Sequence, residues 1–163
     1  MVSLLSRIAS AFAAEPEDHV YWLTHDLALC AEPAREDWPT LYEAGFRCVL
    51  DLRAEAESNA ELVESHGLKY LRVPVIDEEP PGDSAMRLIT SWIIEQIGST
   101  GPVLVHCRQG RGRSAMVVCA VLVKLGLPLQ DAYRTLRHAR HDVLFSDAQT
   151  AALARFATQT ATA

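Results

Sequence analysis

One continuous segment, residues 103–123, limits the folds open to this chain more than any other part of it. The segment reads VLVHCRQGRGRSAMVVCAVLV: a short apolar strand, a loop with two glycines, and a helix that is apolar nearly all round. Such a helix packs in the centre of a domain, because no face of it suits water. The rest of the chain therefore has to cover this unit.

Strand-like and helix-like patterns alternate along the remaining residues. Apolar runs predict strands over 20–24, 27–30, 46–52, 68–75 and 103–106. Helical periodicity and capping residues predict helices over 39–45, 56–66, 84–97, 114–125, 129–138 and 147–158, with Ser84 as a candidate N-cap. This alternation predicts an α/β fold, with a central, mostly parallel sheet flanked by helices on both faces. Ligands of such sheets bind beyond the C-terminal ends of the strands, where the loop after His106 lies.

The loop that follows this last strand carries groups suited to an anion. Gly110 and Gly112 allow the backbone to curl so that successive N–H groups point inward, and the next helix adds its N-terminus. Arg113 adds a planar fork that matches phosphate oxygens. Cys107 lies at the floor of this ring, where N–H dipoles and positive charge favour a nucleophilic thiolate. The same donors suit a phosphoryl group in transfer, and Ser114 is placed to donate to the sulfur when it leaves.

The pattern His-Cys-x5-Arg-Ser, between a strand and a buried helix, resembles the signature loop of the protein tyrosine and dual-specificity phosphatase superfamily. The similarity runs from about Val20 to Phe156, and the ending ARHDVLFSDAQTAALARF resembles the last helices of small dual-specificity phosphatases. The resemblance implies one phosphatase-like domain over residues 19–163, which hydrolyses phosphomonoesters through a phosphocysteine on Cys107. It also implies that the phosphate is bound by the loop residues Arg108, Gln109, Gly110, Arg111, Gly112 and Arg113.

Two other residues of this segment have plainer interpretations. Cys119 lies in mid-helix among apolar residues, so we expect it to be a core residue. His106 is expected to orient the loop by hydrogen bonding rather than to act as an acid or base. A buried structural cysteine beside a glycine-rich turn is the alternative for Cys107, but it leaves the surrounding arginines and glycines unexplained.

Phosphoryl transfer to a thiolate requires a proton for the leaving alcohol. The resemblance implies that the donor is an aspartate on a separate loop upstream. Asp77 fits best, because it follows a predicted strand end in the proline-stiffened loop VPVIDEEPP. Glu78, Glu79 and Asp83 are alternatives, and an acidic loop exposed to solvent is the plainer interpretation of the whole run.

Three further positions are open to more than one interpretation. Asp51 and Arg53, in the run VLDLR, resemble the strand end of many dual-specificity phosphatases and also that of rhodaneses. The x5 spacing and Asp77 favour the phosphatase, and Arg53 is expected to support the loop through ion pairs. We expect Gln149 to be a surface glutamine of a helix; the alternative is a position near the hydrolytic water, where the superfamily often places a Gln or Asn.

The loop leaves the substrate open. Arg108 and Arg111 resemble basic residues at the same loop positions in tensin-type phosphoinositide phosphatases and in the mitochondrial phosphatidylglycerophosphate phosphatase. The acidic run DEEPPGD opposes a highly charged lipid, and the chain is short for a deep, tyrosine-specific pocket. We therefore expect a dual-specificity protein phosphatase, with a phosphoinositide or other phospholipid head-group phosphatase as the alternative. A non-catalytic phosphate-binding module is a third class, which Cys107, Arg113 and Asp77 together disfavour.

Charge and cysteine content exclude other classes. The net charge of −6 and the lack of a basic stripe argue against nucleic-acid binding. The four cysteines show neither Cys-x-x-Cys pairs nor zinc-ligand spacing, and buried free thiols favour a reducing, cytoplasmic location. The thiolate chemistry requires no metal or organic cofactor, and we expect a monomer that acts on a phosphorylated protein, lipid or small molecule.

The N-terminal residues 1–18 are interpreted as an extension outside the domain. Apolar residues recur at helical spacing within residues 1–14, which predicts an amphipathic helix that packs on the domain or contacts a membrane surface peripherally. The Ala-Phe-Ala at 11–13 resembles a signal-peptidase site, but a positive n-region is missing and Arg7 interrupts the apolar run. The whole sequence contains no apolar stretch long enough for a transmembrane helix.

Overall fold

Five strands form a single sheet in the computed structural model, which describes residues 20–162. The strands are β1 (Val20–Thr24), β2 (Leu27–Cys30), β3 (Cys48–Arg53), β4 (Lys69–Val75) and β5 (Val103–His106), in the spatial order β1-β2-β5-β3-β4. β1 is antiparallel to β2, and every other neighbouring pair is parallel. The loop after β5 therefore leaves the sheet near its middle, at the edge where the carboxyl ends of the parallel strands meet.

The helices cover both faces of this sheet. They are α1 (Trp38–Glu43), α2 (Ala60–Ser65), α3 (Asp83–Ser99), α4 (Arg113–Lys124), α5 (Leu129–Ala139) and α6 (Asp147–Ala161). Because side chains alternate along a strand, the core divides in two. One half joins β-strand residues to α3, α4, α5 and α6, and the other joins them to Trp38 and Leu41 of α1 and Val63 of α2. The predicted mostly parallel sheet with helices on both faces is confirmed.

Helix α4 is the centre of the larger half of the core. Eleven consecutive residues, from Arg113 to Val123, are buried. Each buried valine or leucine side chain stabilises the fold by about 2 kcal/mol relative to an exposed one. The helix therefore holds the loop that precedes it against a rigid support.

Helix α2 begins at Ala60 and not at residue 56 as predicted. The residues before it are held in an irregular conformation by β4. Arg72 Nη2 donates to the carbonyl oxygens of Arg53 (3.0 Å) and Ala56 (2.6 Å), and the N–H of Asn59 donates to the Tyr70 hydroxyl at 3.2 Å. These contacts satisfy backbone groups that a longer helix would use internally.

Ser84 is not the N-cap of α3. Gly82 occupies that position, and Ser84 lies in the first turn, where its hydroxyl accepts a hydrogen bond from Arg87 Nη2 at 3.2 Å. The prediction failed because the chain turns into the helix two residues earlier, directly after Pro81. The start of α3 does not otherwise change the site.

Residues 1–18 lie outside the described part of the chain, so the amphipathic helix there stays a prediction. Among residues 20–162, none of the helices has both the length and the apolar character needed to cross a membrane.

Candidate active site

The loop between β5 and α4 encloses a buried sulfur atom. Cys107 is 2% exposed, and its Sγ accepts a hydrogen bond from the N–H of Gly110 at 3.2 Å. The hydroxyl of buried Ser114 lies 3.3 Å from the same sulfur and acts as donor whenever the sulfur is an anion. The N-terminus of α4, which begins at Arg113, adds its dipole. The hydroxyl and the N–H donors that the sequence suggested for Cys107 thus face its sulfur.

Gly110 can only be glycine, for two separate reasons. Its φ is +67°, a conformation that side-chain-bearing residues rarely adopt. A Cβ on it would also lie 2.6 Å from the carbonyl of Cys30 and 2.6 Å from Arg140 Nη1. Gly112, by contrast, has a φ of −114° as the N-cap of α4, and a Cβ there would lie 3.5 Å from the Gln149 amide. The curl predicted from both glycines therefore depends on Gly110.

The guanidinium of Arg113 is held firmly in the same pocket. The side chain is 1% exposed, Nη1 donates to the Val75 carbonyl at 2.9 Å, and Nη1 and Nη2 donate to the two carboxylate oxygens of Glu55 at 2.7 and 2.8 Å. Nε lies 3.2 Å from Asp77 Oδ1, the distance of an ion pair, but without hydrogen-bond geometry. Burial opposes the cation, yet the Glu55 hydrogen bonds and the charges of Cys107, Glu55 and Asp77 raise the pKa of Arg113. One buried donor of a permanent cation thus stays available to a phosphate oxygen.

Glu55 is the functional residue that sequence analysis missed. The hydrogen bonds from Arg113 lower its pKa from 4.5 to about 2, against a smaller opposing effect of burial, so it is ionised at neutral pH. Glu55 follows the end of β3, at the same edge of the sheet as the Cys107 loop. The signal available in the sequence was that position, because parallel strands end together.

The acidic loop after β4 brings Asp77 to this pocket. Asp77 is 73% exposed, and its carboxylate is the one that pairs with Arg113 Nε. The N–H of Glu79 donates to the Ile76 carbonyl at 3.1 Å, which closes a turn with Glu78 at a φ of +63°. Glu78 and Glu79 are exposed, while Asp83 begins α3. Among the four acidic candidates, Asp77 is thus the one for which the structure records an ion pair with Arg113.

Gln149 is buried at the start of α6, so the expectation of a surface glutamine was wrong. It is 1% exposed and forms a capping box with Ser146, whose hydroxyl accepts from the Gln149 N–H at 3.1 Å. Gln149 Oε1 accepts from the Ser146 N–H at 3.1 Å, and Nε2 donates to the Glu79 carbonyl at 3.3 Å. Both the oxygen and the nitrogen of the Gln149 amide are therefore hydrogen-bonded to backbone groups, and the nitrogen bonds to the acidic loop at Glu79.

The remaining loop residues differ in exposure and in whether their side chains have hydrogen-bond partners. Arg108 and Gln109 are exposed, and the Arg108 carbonyl accepts from the N–H of Glu32 at 3.1 Å. Arg111 Nε donates to the Asp142 carbonyl at 3.0 Å and lies 3.3 Å from Asp142 Oδ2. Arg111 thus shares the Asp142 carboxylate with Arg140, whose Nε lies 2.8 Å from Asp142 Oδ1, whereas the Arg108 side chain is exposed.

Arg53 and Asp51 form a buried network behind the loop. Arg53 Nε and Nη2 donate to the two Asp51 oxygens at 2.9 and 2.7 Å, and the Tyr70 hydroxyl donates to Asp51 at 2.7 Å. Burial alone would raise the pKa of Asp51, but these hydrogen bonds and the nearby His106 lower it. Arg53 Nη1 also pairs with Glu32, the residue whose N–H contacts the loop. Arg53 therefore supports the loop through ion pairs, as the sequence suggested.

His106 is neutral at neutral pH. Burial lowers its pKa from 6.5 to about 4, although the charge of Asp51 opposes this shift. Its Nδ1 lies 3.4 Å from the Cys107 carbonyl, and its Nε2 lies 3.9 Å from Asp51 Oδ1. A neutral, enclosed imidazole next to the loop fits a role in orientation and not in proton transfer.

A protein-family comparison accounts for this arrangement. The model described as "Polymorphic toxin system, DSP-PTPase phosphatase" matches residues 26–127, more than half of the chain and including the whole Cys107 loop. The chain belongs to this DSP-PTPase family. Its Cys107 loop has the pattern of the dual-specificity and tyrosine phosphatase class that this description names.

Individual relatives agree with this DSP-PTPase membership. The dual specificity protein phosphatase Mpk3 of Drosophila melanogaster is 36% identical over 83 residues, which are 49% of this chain and 20% of that relative. The chain thus aligns with about a fifth of the length of that protein. Tk-PTP in its active form superposes with a TM-score of 0.82 at 25% identity, over 88% of this chain and 99% of that one. Human DUSP28 gives a TM-score of 0.76 at 22% identity, over 90% and 98%, and shares the fold.

Proposed function

We propose that this DSP-PTPase phosphatase is a dual-specificity protein phosphatase, which hydrolyses phosphotyrosine and phosphoserine or phosphothreonine through a phosphocysteine on Cys107. One observation carries the proposal. The Cys107 sulfur accepts a hydrogen bond from the Gly110 N–H and shares its pocket with Arg113. The buried Nε of Arg113 has no hydrogen-bond acceptor among the described residues, and it lies 3.2 Å from Asp77 Oδ1. This neighbourhood of a sulfur, a cationic donor and a carboxylate supports the roles proposed for Cys107, Arg113 and Asp77.

In the first step of the proposed reaction, the Cys107 thiolate attacks phosphorus. The S–P bond forms as the P–O bond to the substrate breaks, and Asp77 gives its proton to the leaving oxygen. Arg113 Nε and the inward N–H groups of the loop bind the equatorial oxygens of the phosphoryl group. Asp77 ends this step as a carboxylate.

In the second step, the Asp77 carboxylate takes a proton from water as the water oxygen attacks phosphorus. The S–P bond breaks, inorganic phosphate forms, and the sulfur leaves as a thiolate. The Ser114 hydroxyl, 3.3 Å from the sulfur, stabilises that thiolate by donating to it. Gln149 was the sequence candidate for orienting the water, but its amide is engaged by Ser146 and Glu79, which favours a structural role for it.

The charges around the pocket favour a phosphoprotein over a multiply phosphorylated lipid. Asp77, Glu78 and Glu79 are exposed on the loop that contacts Arg113, and Asp142 pairs with both Arg140 and Arg111. A head group with several phosphates would meet these carboxylates, whereas a single phosphate on a side chain needs only the loop and Arg113.

Phosphoinositide or other phospholipid head groups are the second candidate substrate. Arg108 is exposed at the rim, where it is placed to contact a second phosphate. PTPMT1, whose structure was solved in complex with PI(5)P, superposes with a TM-score of 0.80 at 20% identity over 89% of this chain and 98% of that one.

The test is phosphate release from two substrate sets with the same enzyme preparation. One set holds peptides with phosphotyrosine, phosphoserine or phosphothreonine, and the other holds phosphoinositides in vesicles. The proposal expects turnover of both peptide types, abolished in Cys107→Ser. Turnover of the lipids alone would replace the first candidate by the second. Wild-type inactivity on both sets and on aryl phosphates would favour a non-catalytic phosphate-binding module.

The role of Asp77 has its own variant. Asp77→Asn should lower turnover by about a hundredfold or more, because the leaving group loses its proton donor. Binding of inorganic phosphate should be largely retained, since the loop and Arg113 are intact. Glu79→Gln is the matched control on the same loop. Unchanged turnover in Asp77→Asn would remove Asp77 from the acid role.

A cytoplasmic location and a monomeric state belong to the same proposal. All four cysteines are free and buried, which supports a reducing compartment. Peripheral membrane contact through residues 1–14 stays a prediction.

A further inference from the structure

The turn that carries Asp77 has a backbone conformation that needs outside support. Glu78, the residue after Asp77, has a φ of +63°, which is uncommon for any residue other than glycine, asparagine or aspartate. Such a conformation persists only where the surrounding structure holds it. Asp77 itself is 73% exposed, so its place beside Arg113 depends on this turn more than on packing of its side chain.

The support comes from the first turn of α6, far along the sequence. The Ser146 hydroxyl donates to the Glu78 carbonyl at 2.6 Å, and Gln149 Nε2 donates to the Glu79 carbonyl at 3.3 Å. The same Ser146 hydroxyl accepts from the Gln149 N–H at 3.1 Å as the N-cap of α6. The Ser146 hydroxyl thus connects the N-terminus of α6 to Glu78, the residue with the positive φ.

We propose that Ser146 is a positioning residue for the general acid, acting through the Glu78 carbonyl to keep the Asp77 carboxylate over the phosphate pocket. The inference rests on the proposed function, because it needs Asp77 to protonate the leaving group. Ser146 does not touch the reacting atoms in this account. Its hydrogen bond fixes the orientation of the peptide group between Glu78 and Glu79, and Glu78 is the residue that follows Asp77.

Two substitutions separate this hydrogen bond from helix capping. Ser146→Gly keeps a residue well suited to an N-cap but removes the donor to the Glu78 carbonyl. Ser146→Thr keeps both the cap and the hydroxyl. Thr158→Ala is the matched control, since it removes an exposed hydroxyl of the same helix that bonds only within α6.

Two aryl phosphates separate proton donation from all other steps. Phenyl phosphate releases a phenol with a pKa of about 10, which needs a proton to leave. 2,4-Dinitrophenyl phosphate releases a phenolate that leaves without one. We expect Ser146→Gly to lose about tenfold in kcat/KM on phenyl phosphate and less than about twofold in kcat/KM on the dinitrophenyl ester, because kcat/KM reports phosphoryl transfer to Cys107 and not the later hydrolysis that both esters share. Ser146→Thr and Thr158→Ala should match the wild type on both esters.

A double-mutant cycle identifies the residue through which Ser146 acts. In the Asp77→Asn background, Ser146→Gly should cause no further loss on phenyl phosphate, because the group it positions is already gone. Equal losses on both esters, no loss on either, or a full additional loss in the double variant would overturn the inference. Thermal unfolding of each variant shows whether it is folded, and Ser146→Thr provides a folded comparison at the same position.

The outcome also separates this inference from the proposed function. A wild-type enzyme that hydrolyses both esters, with Cys107→Ser inactive, leaves the proposed reaction standing whatever Ser146→Gly does. A wild-type chain that releases no phosphate from either ester contradicts the proposed function, and the role of Ser146 fails with it.

Discussion

The carboxylate of Glu55 accepts hydrogen bonds from both terminal nitrogens of Arg113, at 2.7 and 2.8 Å. A third bond, from Arg113 Nη1 to the Val75 carbonyl, completes the set at 2.9 Å. The guanidinium is therefore oriented before a substrate arrives, and its Nε–H and the second N–H of Nη2 are the donors left for phosphate. A preorganised donor costs no reorganisation at the moment of reaction.

Glu55→Gln should lower kcat/KM for an aryl phosphate by about tenfold, because a neutral amide cannot hold both guanidinium nitrogens as a charge-assisted pair. Steady-state kinetics measure the loss. Glu57→Gln, two residues away on the exposed side of the same segment, is the control and should match the wild type. An increase in phosphate affinity in Glu55→Gln would contradict this role, because it would mean that Glu55 competes with the substrate.

Stability should fall in mild acid because of His106. Burial lowers its pKa from 6.5 to about 4, so the folded state binds fewer protons than the unfolded state between these values. The free energy of unfolding therefore has its full value above pH 6.5, and it falls by about 3 kcal/mol as the pH decreases towards 4. Urea unfolding at several pH values measures it. His106→Asn should flatten that part of the profile, and an unchanged slope would contradict the assignment.

Gly110→Ala should damage both stability and turnover. The alanine would need a φ of +67°, and its Cβ would meet the Cys30 carbonyl and Arg140 Nη1 at 2.6 Å. We expect a loss of about 2 kcal/mol in unfolding free energy, and a loss of about a hundredfold in kcat/KM as the N–H donated to Cys107 moves away. Urea unfolding and aryl phosphate hydrolysis measure the two effects.

Gly126→Ala is the matched control for this prediction. Gly126 also has a positive φ, +105°, but a Cβ there would have nothing within 4 Å. The control should therefore lose about 1 kcal/mol of stability from backbone strain and keep its turnover. Equal losses of turnover in both variants would show that the loop does not require Gly110 for its geometry.

The strand, loop and helix around Cys107 could be predicted because their signals are local. An apolar run, a glycine and a following apolar helix each act over a few residues, and β5 matches its predicted range, Val103–His106. The position of Ser114 beside Cys107 follows from the same short segment. The sequence alone was therefore enough to predict Cys107 as the nucleophile and Ser114 as its neighbour.

Glu55 and Gln149 could not be placed in the same way, because their partners are distant in the sequence. Arg113 lies 58 positions after Glu55, and only the parallel pairing of strands brings their elements to one edge. Gln149 was expected on the surface because glutamine side chains are mostly exposed in folded proteins. Its burial is possible since the backbones of Ser146 and Glu79 satisfy both ends of its amide.

Trapping of the covalent intermediate tests the central claim most directly. The wild-type enzyme is mixed with an excess of an aryl phosphate, quenched in acid within milliseconds, digested and analysed by peptide mass spectrometry. The account predicts a phosphoryl group on the sulfur of Cys107, absent from Cys107→Ser and from unreacted enzyme. A phosphoryl group on another residue, or steady turnover by Cys107→Ser, would contradict it.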